Sequence, residues 1–201
     1  NVKRLFAYSS IAQAGYILVP FAVSAHLFLF VPNMVIDTAI YYLLAYLFMT
    51  LGAFAVIQLV IQDSGTEELK AFAGLYHRAP WVAVAMTIFL ISLAGLPITA
   101  GFVGKFYIFM GAVKANYIWL AAVMVITSVI SYFYYFGIIT QMYMRPGAER
   151  PLSVPWSLRV ILVICVLGTF LLAIFPTAVF DYFNQYFNIV EMFQPAVNVE
   201  G

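Results

Sequence analysis

Apolar residues run along this chain in stretches longer than a soluble helix needs, separated by short polar connectors. Five stretches stand out, at residues 5–31, 34–61, 81–113, 117–142 and 158–175. Crossing about 30 Å of hydrocarbon takes roughly 20 helical residues, so each is long enough to span a membrane. In lipid only helices and closed barrels satisfy every backbone group. A barrel would show strict alternation over short segments. Runs such as LAAVMVIT and VILVICVLGTFLLAIF do not alternate. The pattern therefore predicts an all-α, polytopic transmembrane bundle, with no internal repeat among its five spans.

The third stretch breaks its own pattern. Residues 94–109 read AGLPITAGFVGKFYIF, placing Gly95, Pro97, Gly101, Gly104 and then Lys105 inside an apolar run. Pro97 cannot donate to the carbonyl of Leu93, and its ring crowds that turn. The three glycines lower the cost of leaving helical geometry and let neighbouring helices approach closely. Together they predict a helix interrupted near residues 95–101. Irregular backbone at that depth is tolerated only when buried in protein or lining a watery cavity. Lys105 follows about two turns after Pro97. An ammonium there costs about 2.5–3.5 kcal/mol on insertion scales. Desolvation weighs against the charged form of any such amine, which suits a group that gains and releases protons. A cation on a discontinuous helix is also a recurring arrangement in ion-coupled transporters. The plainer alternative is an anchor that snorkels to the headgroups near Lys114.

Composition and charge sharpen this picture. Of 201 residues 65% are hydrophobic and only 8% charged. Soluble domains carry about 25% charged residues, so most of this chain must face lipid or other membrane protein. A net charge of +1 gives no electrostatic case for a nucleic-acid partner. The single cysteine, Cys165, excludes a disulfide framework, and two histidines make a bis-histidine haem site improbable. No phosphate-binding loop, dinucleotide glycine fingerprint or zinc spacing occurs. With the N-terminus cytoplasmic, one side receives Lys3, Arg4, Lys70, Arg78, Arg145, Arg150 and Arg159, and the other receives Lys114 alone. That asymmetry predicts a cytoplasmic N-terminus and an outer C-terminus. Trp81, Trp119 and Trp156 fall near span ends, where interfacial aromatics belong. No initiator methionine or cleavable signal is present, and the chain reads as a piece of a longer protein.

The first span opens KRLFAYSSIAQAGYILV, with Ser9, Gln13 and Tyr16 on one helical face. That stripe must meet another helix or water, as a structural seam or as the lining of a proton route. His26 reads as interfacial, His77 as a solvated loop residue and Asp37 as a first-turn helix acid. The hydroxyls of Thr87, Ser92, Thr127, Ser128, Ser131 and Thr140 can bond back to their own helices and receive no role.

Two motifs resemble a known family. NVKRLFAYSSIAQAGYILV is similar to the start of a core helix in the antiporter-like membrane subunits of respiratory complex I. LISLAGLPITAGFVGKFYIF is similar to the broken helix in the second of that family's two inverted repeats. Asn1 before Val2-Lys3-Arg4, and Lys105 within GFVGKFY, place the resemblance nearest the family's N-type branch. Gln13 stands where some members have histidine, so no proton role rests on it.

The resemblance covers all five spans and implies the second half of an inverted-repeat antiporter-like fold, with the upstream half-channel lying before residue 1. It implies that Lys105 is the protonatable group of the outward half-channel and Pro97 the mark of the helix break. Its further implications are an integral subunit of a bacterial cell membrane, partnered by other complex I membrane-arm subunits, lipid and protons. No cofactor is expected on this chain, since NADH, flavin, iron–sulfur clusters and quinone belong to other subunits. Rival readings are a subunit of a multi-subunit sodium/proton antiporter or membrane-bound hydrogenase, or a membrane scaffold without a proton path.

Overall fold

The computed structural model of the chain describes residues 1–23, 32–147 and 150–186, and among these there is no strand. The helices in chain order are α1 (Val2–Ala22), α2 (Pro32–Ser64), the single turn α3 (Leu75–Arg78), α4 (Pro80–Ala94), α5 (Ala100–Lys114), α6 (Ile118–Met144), α7 (Trp156–Ile174) and α8 (Pro176–Tyr186). A 3-10 turn at Leu69–Phe72 lies in the connector after α2. Four of these helices are long and apolar enough to cross a membrane: α1, the Val35–Ser64 part of α2, α6 and α7. The remaining stretch of suitable length divides into α4 and α5, each of 15 residues. Neither half reaches across alone at 1.5 Å per residue.

At about 50 Å, α2 is the longest element and the central one, packing against α1, α4, α5 and α7. Its inner face is built from fully buried Tyr41, Tyr42, Ala45, Met49, Ala53 and Val56. Outward-facing apolar side chains of α6 and α7, Phe133 and Val163 among them, stay largely exposed. That is the inverse of a soluble bundle and fits helices whose outer solvent is hydrocarbon or another apolar protein surface.

One end of the bundle is closed by polar clasps. Asn1 caps α1 by accepting from Arg4 N at 3.0 Å, and its amide, like the Lys3 ammonium, reaches Glu67. These partners hold the Glu67 carboxyl below the usual carboxylate range, Lys3 contributing most. Asp63 receives both Arg78 and Arg150, the latter at 3.1 Å. Backbone bonds from Gly74 N to Gln141 O (3.2 Å) and Leu152 N to Arg78 O (3.2 Å) tie the connectors together. The basic residues counted on one side of the sequence thus gather at one end of the fold, and Lys114 closes α5 at the other.

Asp37 differs from its expected place. Pro32 opens α2, a position that suits proline because its missing N–H is not needed there. Asp37 therefore falls beyond the first turn, buried at 8% exposure. His77 is exposed, with its ring edge-on to Tyr76. His26 and residues 187–201 lie outside the described residues.

Candidate functional site

The break between α4 and α5 follows from its residues. Gly95 ends α4 with φ at 83°, a left-handed conformation open to glycine at little cost. Gly95 N donates to Ile91 O and Ser92 O, each at 3.0 Å, and Leu96 N donates to Ile91 O at 3.1 Å. Ile98 also takes a positive φ of 75°, a costly conformation for a β-branched residue. Thr99 then opens α5, its Oγ1 accepting from Phe102 N at 3.2 Å. Gly101 and Gly104, unlike Gly95, lie within α5. They serve the approach of neighbours: a Cβ at Gly101 would collide with the Ser92 carbonyl, and one at Gly104 with the Tyr42 ring. The loss of helical geometry thus rests on residues 95–99, and the two later glycines let α5 close against α4 and α2.

A helix that stops inside a membrane leaves orphan carbonyls. The turn at Gly95 satisfies those of Ile91 and Ser92. The next two, of Leu93 and Ala94, are taken by Lys105, whose Nζ donates to Leu93 O at 2.8 Å and Ala94 O at 3.3 Å. The amine is only 7% exposed, stands 4.7 Å from the centre of the Tyr16 ring, and its stem packs on Gly95. Among the described residues no carboxylate pairs with it. A cation at the negative end of a helix dipole, over an aromatic face, is stabilised by both. The geometry also tolerates loss of the charge, because a neutral amine retains two N–H groups and there are two carbonyls to receive them.

Ser9, Gln13 and Tyr16 are all buried, on the side of α1 that faces this break. Gln13 Nε2 donates to the same Leu93 carbonyl at 3.2 Å, and its Oε1 accepts from Tyr42. Ser9 bonds Tyr135. The Tyr16 hydroxyl lies 2.8 Å from Thr127 Oγ1 and 3.1 Å from Ser128 Oγ. A polar seam therefore runs through the bundle, with Lys105 and Gln13 meeting on one carbonyl at its centre. Tyr42, Tyr135, Thr127 and Ser128 complete it, and Ser92 Oγ accepts from Gly101 N at 3.1 Å across the break. The sequence gives no sign of these five partners, since tyrosines in such runs mostly pack and hydroxyls mostly bond back, as Thr140 does to Phe136 O. Among the described residues no three His, Cys, Asp or Glu side chains converge on a common point.

Comparison with known proteins matches residues 1–131 to the model of the NADH:quinone oxidoreductase/Mrp antiporter transmembrane family. The chain belongs to that family. NADH-quinone oxidoreductase subunit N of Brevibacillus brevis is 54% identical over 189 residues, covering 94% of this chain and 36% of the relative. The same-named subunit of Anoxybacillus flavithermus is 50% identical over 199 residues, covering 96% of this chain and 38% of the relative. The chain thus spans somewhat over a third of the curated relatives it matches. Among solved structures, respiratory complex I from Thermus thermophilus with bound aureothin superposes on it with a TM-score of 0.69 at 28% identity, covering 90% of this chain and 40% of that one. The Mrp complex from Dietzia superposes with a TM-score of 0.76 at 20% identity, covering 92% and 43%, a likeness of fold alone. Antiporter-like architecture and an integral membrane setting follow from family membership and from the apolar helices.

Proposed function

We propose that this chain is the C-terminal part of a proton-translocating membrane-arm subunit of an NADH-quinone oxidoreductase, and that Lys105 carries the proton. One observation supports the reading most. Among the described residues a lysine is buried at a helix break with no carboxylate partner, and its two carbonyl acceptors suit both its charged and its neutral form. The subunit N relatives of B. brevis and A. flavithermus, each at least half identical, make the oxidoreductase a better reading than a sodium/proton antiporter or hydrogenase subunit. In this reading the partners are other membrane-arm subunits, lipid and protons. NADH, flavin, iron–sulfur clusters and quinone bind elsewhere in the complex. The N-terminus of this segment faces the cytoplasm and its C-terminus the outside, on the positive-inside asymmetry.

The mechanism is electrostatic. A change of charge farther along the membrane arm alters how tightly Lys105 holds its proton, which leaves toward the outer side. Tyr16 and Gln13 keep the site in place meanwhile, the ring beneath the amine and the amide on Leu93 O. The polar seam thereby acts as a fixed frame around one titrating group.

The test replaces Lys105 with Met in the full-length subunit within the intact complex. NADH-driven proton uptake by inverted vesicles is expected to drop to about a tenth or less, in keeping with loss of a proton-carrying group. Coupled quinone reduction should fall with it, and the assembled complex should remain. Undiminished uptake would instead establish Lys105 as an anchor in a scaffold.

A further inference from the structure

A second feature lies on the outer surface, remote from the helix break. The first two turns of α4 and the first half of α7 leave an apolar groove of about 600 Å³ between them, walled by Val84, Ile88, Val163 and Leu167. Such a volume lies within the range of small-molecule sites, about 300–1,000 Å³. Its helical walls run about 12 Å from the basic end of the bundle toward the membrane interior, close to the depth of one hydrocarbon leaflet.

The groove is chemically polarised. Arg78 and Arg159 line it together with Trp81, whose indole is 85% exposed. Trp156, at the start of α7, is also largely exposed, so two interfacial tryptophans mark the level of the headgroups. Among the described residues the charge there is unbalanced. Asp63 is shared by Arg78 and Arg150, and among the described residues no carboxylate pairs with Arg159. Among the described residues Arg159 is thus the guanidinium of the groove without a carboxylate, its Nε donating to Val154 O at 3.2 Å.

A single hydrocarbon chain is narrow enough to lie inside.

We propose that this groove is a binding site for an anionic phospholipid of the cytoplasmic leaflet. Its phosphate lies on Arg159 and its glycerol backbone beside Trp81. One acyl chain lies between α4 and α7. The orientation rests on the proposed function, whereas the groove and its charge do not. The lipid joins the apolar flank of α4 to α7 just below the clasp that ends at Arg150.

The experiment places p-benzoylphenylalanine at Val163 of the full-length subunit in the intact complex, reconstituted in vesicles of mixed phosphatidylglycerol and phosphatidylcholine. After irradiation, the mass of the adduct identifies the occupant. Phosphatidylglycerol is expected about fivefold above its share of the bulk lipid, the scale of one arginine at an anionic surface. Arg159→Gln should return it to that share, and Lys3→Gln, a charge at the same end but outside the groove, should leave the enrichment unchanged. Adducts to a neighbouring subunit or to upstream residues of this subunit would overturn the proposal. So would lipid adducts at bulk composition, or the absence of any adduct. Proton uptake by the Arg159→Gln complex stays normal in either case, so failure here is distinguishable from failure of the Lys105 reading.

Discussion

Arg78 and Lys105 are the two buried cations among the described residues, at 9% and 7% exposure, and they are held by opposite means. Arg78 lies at the end of the bundle against the Asp63 carboxylate, with its Nε donating to Arg150 O at 3.0 Å. Lys105 lies in the middle of the fold on two neutral carbonyls and a tyrosine ring. The difference follows from what each group can do. A guanidinium does not release its proton in a protein, so burying it requires a permanent counter-charge. An amine can become neutral, and a fixed carboxylate beside it would oppose that change. The clasp suits one charge state, and the carbonyls at the helix break can receive either form of the amine.

The sharpest way to break this contrast is Lys105→Arg in the intact complex. Arginine keeps the positive charge and can still donate to the carbonyls of Leu93 and Ala94, but it cannot cycle its proton. Proton uptake is expected to fall as far as in the Lys105→Met variant, to about a tenth or less. Assembly should survive, because the charge and carbonyl bonds persist. Vesicles that pump normally with arginine would show that the proton never resides on this side chain.

The complementary change is Asp63→Asn. It removes the counter-charge of a buried guanidinium, a loss of 3–5 kcal/mol in a fully enclosed pair. Asp63 is about a fifth exposed and its second partner, Arg150, lies on the surface, so the expected cost is about 2–3 kcal/mol. Thermal unfolding of the detergent-solubilised complex should begin earlier, while proton uptake per assembled complex stays unchanged. Reduced uptake per assembled complex would mean that the clasp and the break are coupled.

How much of this contrast can be read in the amino-acid sequence depends on the kind of interaction. Helical runs are legible because hydrocarbon demands length and apolarity of each residue in turn. The break is legible because Pro97 and Gly95 act locally on the backbone. Lys105 is legible because a charge in an apolar run is costly wherever the chain folds. The partners are another matter. Tyr42 and Tyr135 look like packing residues until tertiary structure brings them to Gln13 and Ser9. Arg78 looks like a solvated loop cation beside His77, and only the fold lays it on Asp63. The glycines show the same division: Gly95 answers a local backbone need, whereas Gly101 and Gly104 answer neighbours that the one-dimensional pattern does not name.

Gly95 supplies the finest test, because it serves the backbone and the lysine together. An alanine there must hold a φ of 83°, which costs about 1–2 kcal/mol for an L-residue. Its Cβ would also stand 3.0 Å from Lys105 Cδ, close enough to push the stem and lift the amine from its carbonyls. Gly65 offers the matched control at the other region: φ is 71°, yet a Cβ meets nothing within 4 Å. Both alanine variants should lose similar stability, about 1–2 kcal/mol by thermal unfolding. Only Gly95→Ala should also lower proton uptake per assembled complex, by a few-fold at most, because the lysine is displaced but retained. Equal uptake in the two variants would show that the amine's position on Leu93 O and Ala94 O does not set the rate of transfer. Burial of the charge alone would then account for what Lys105 does.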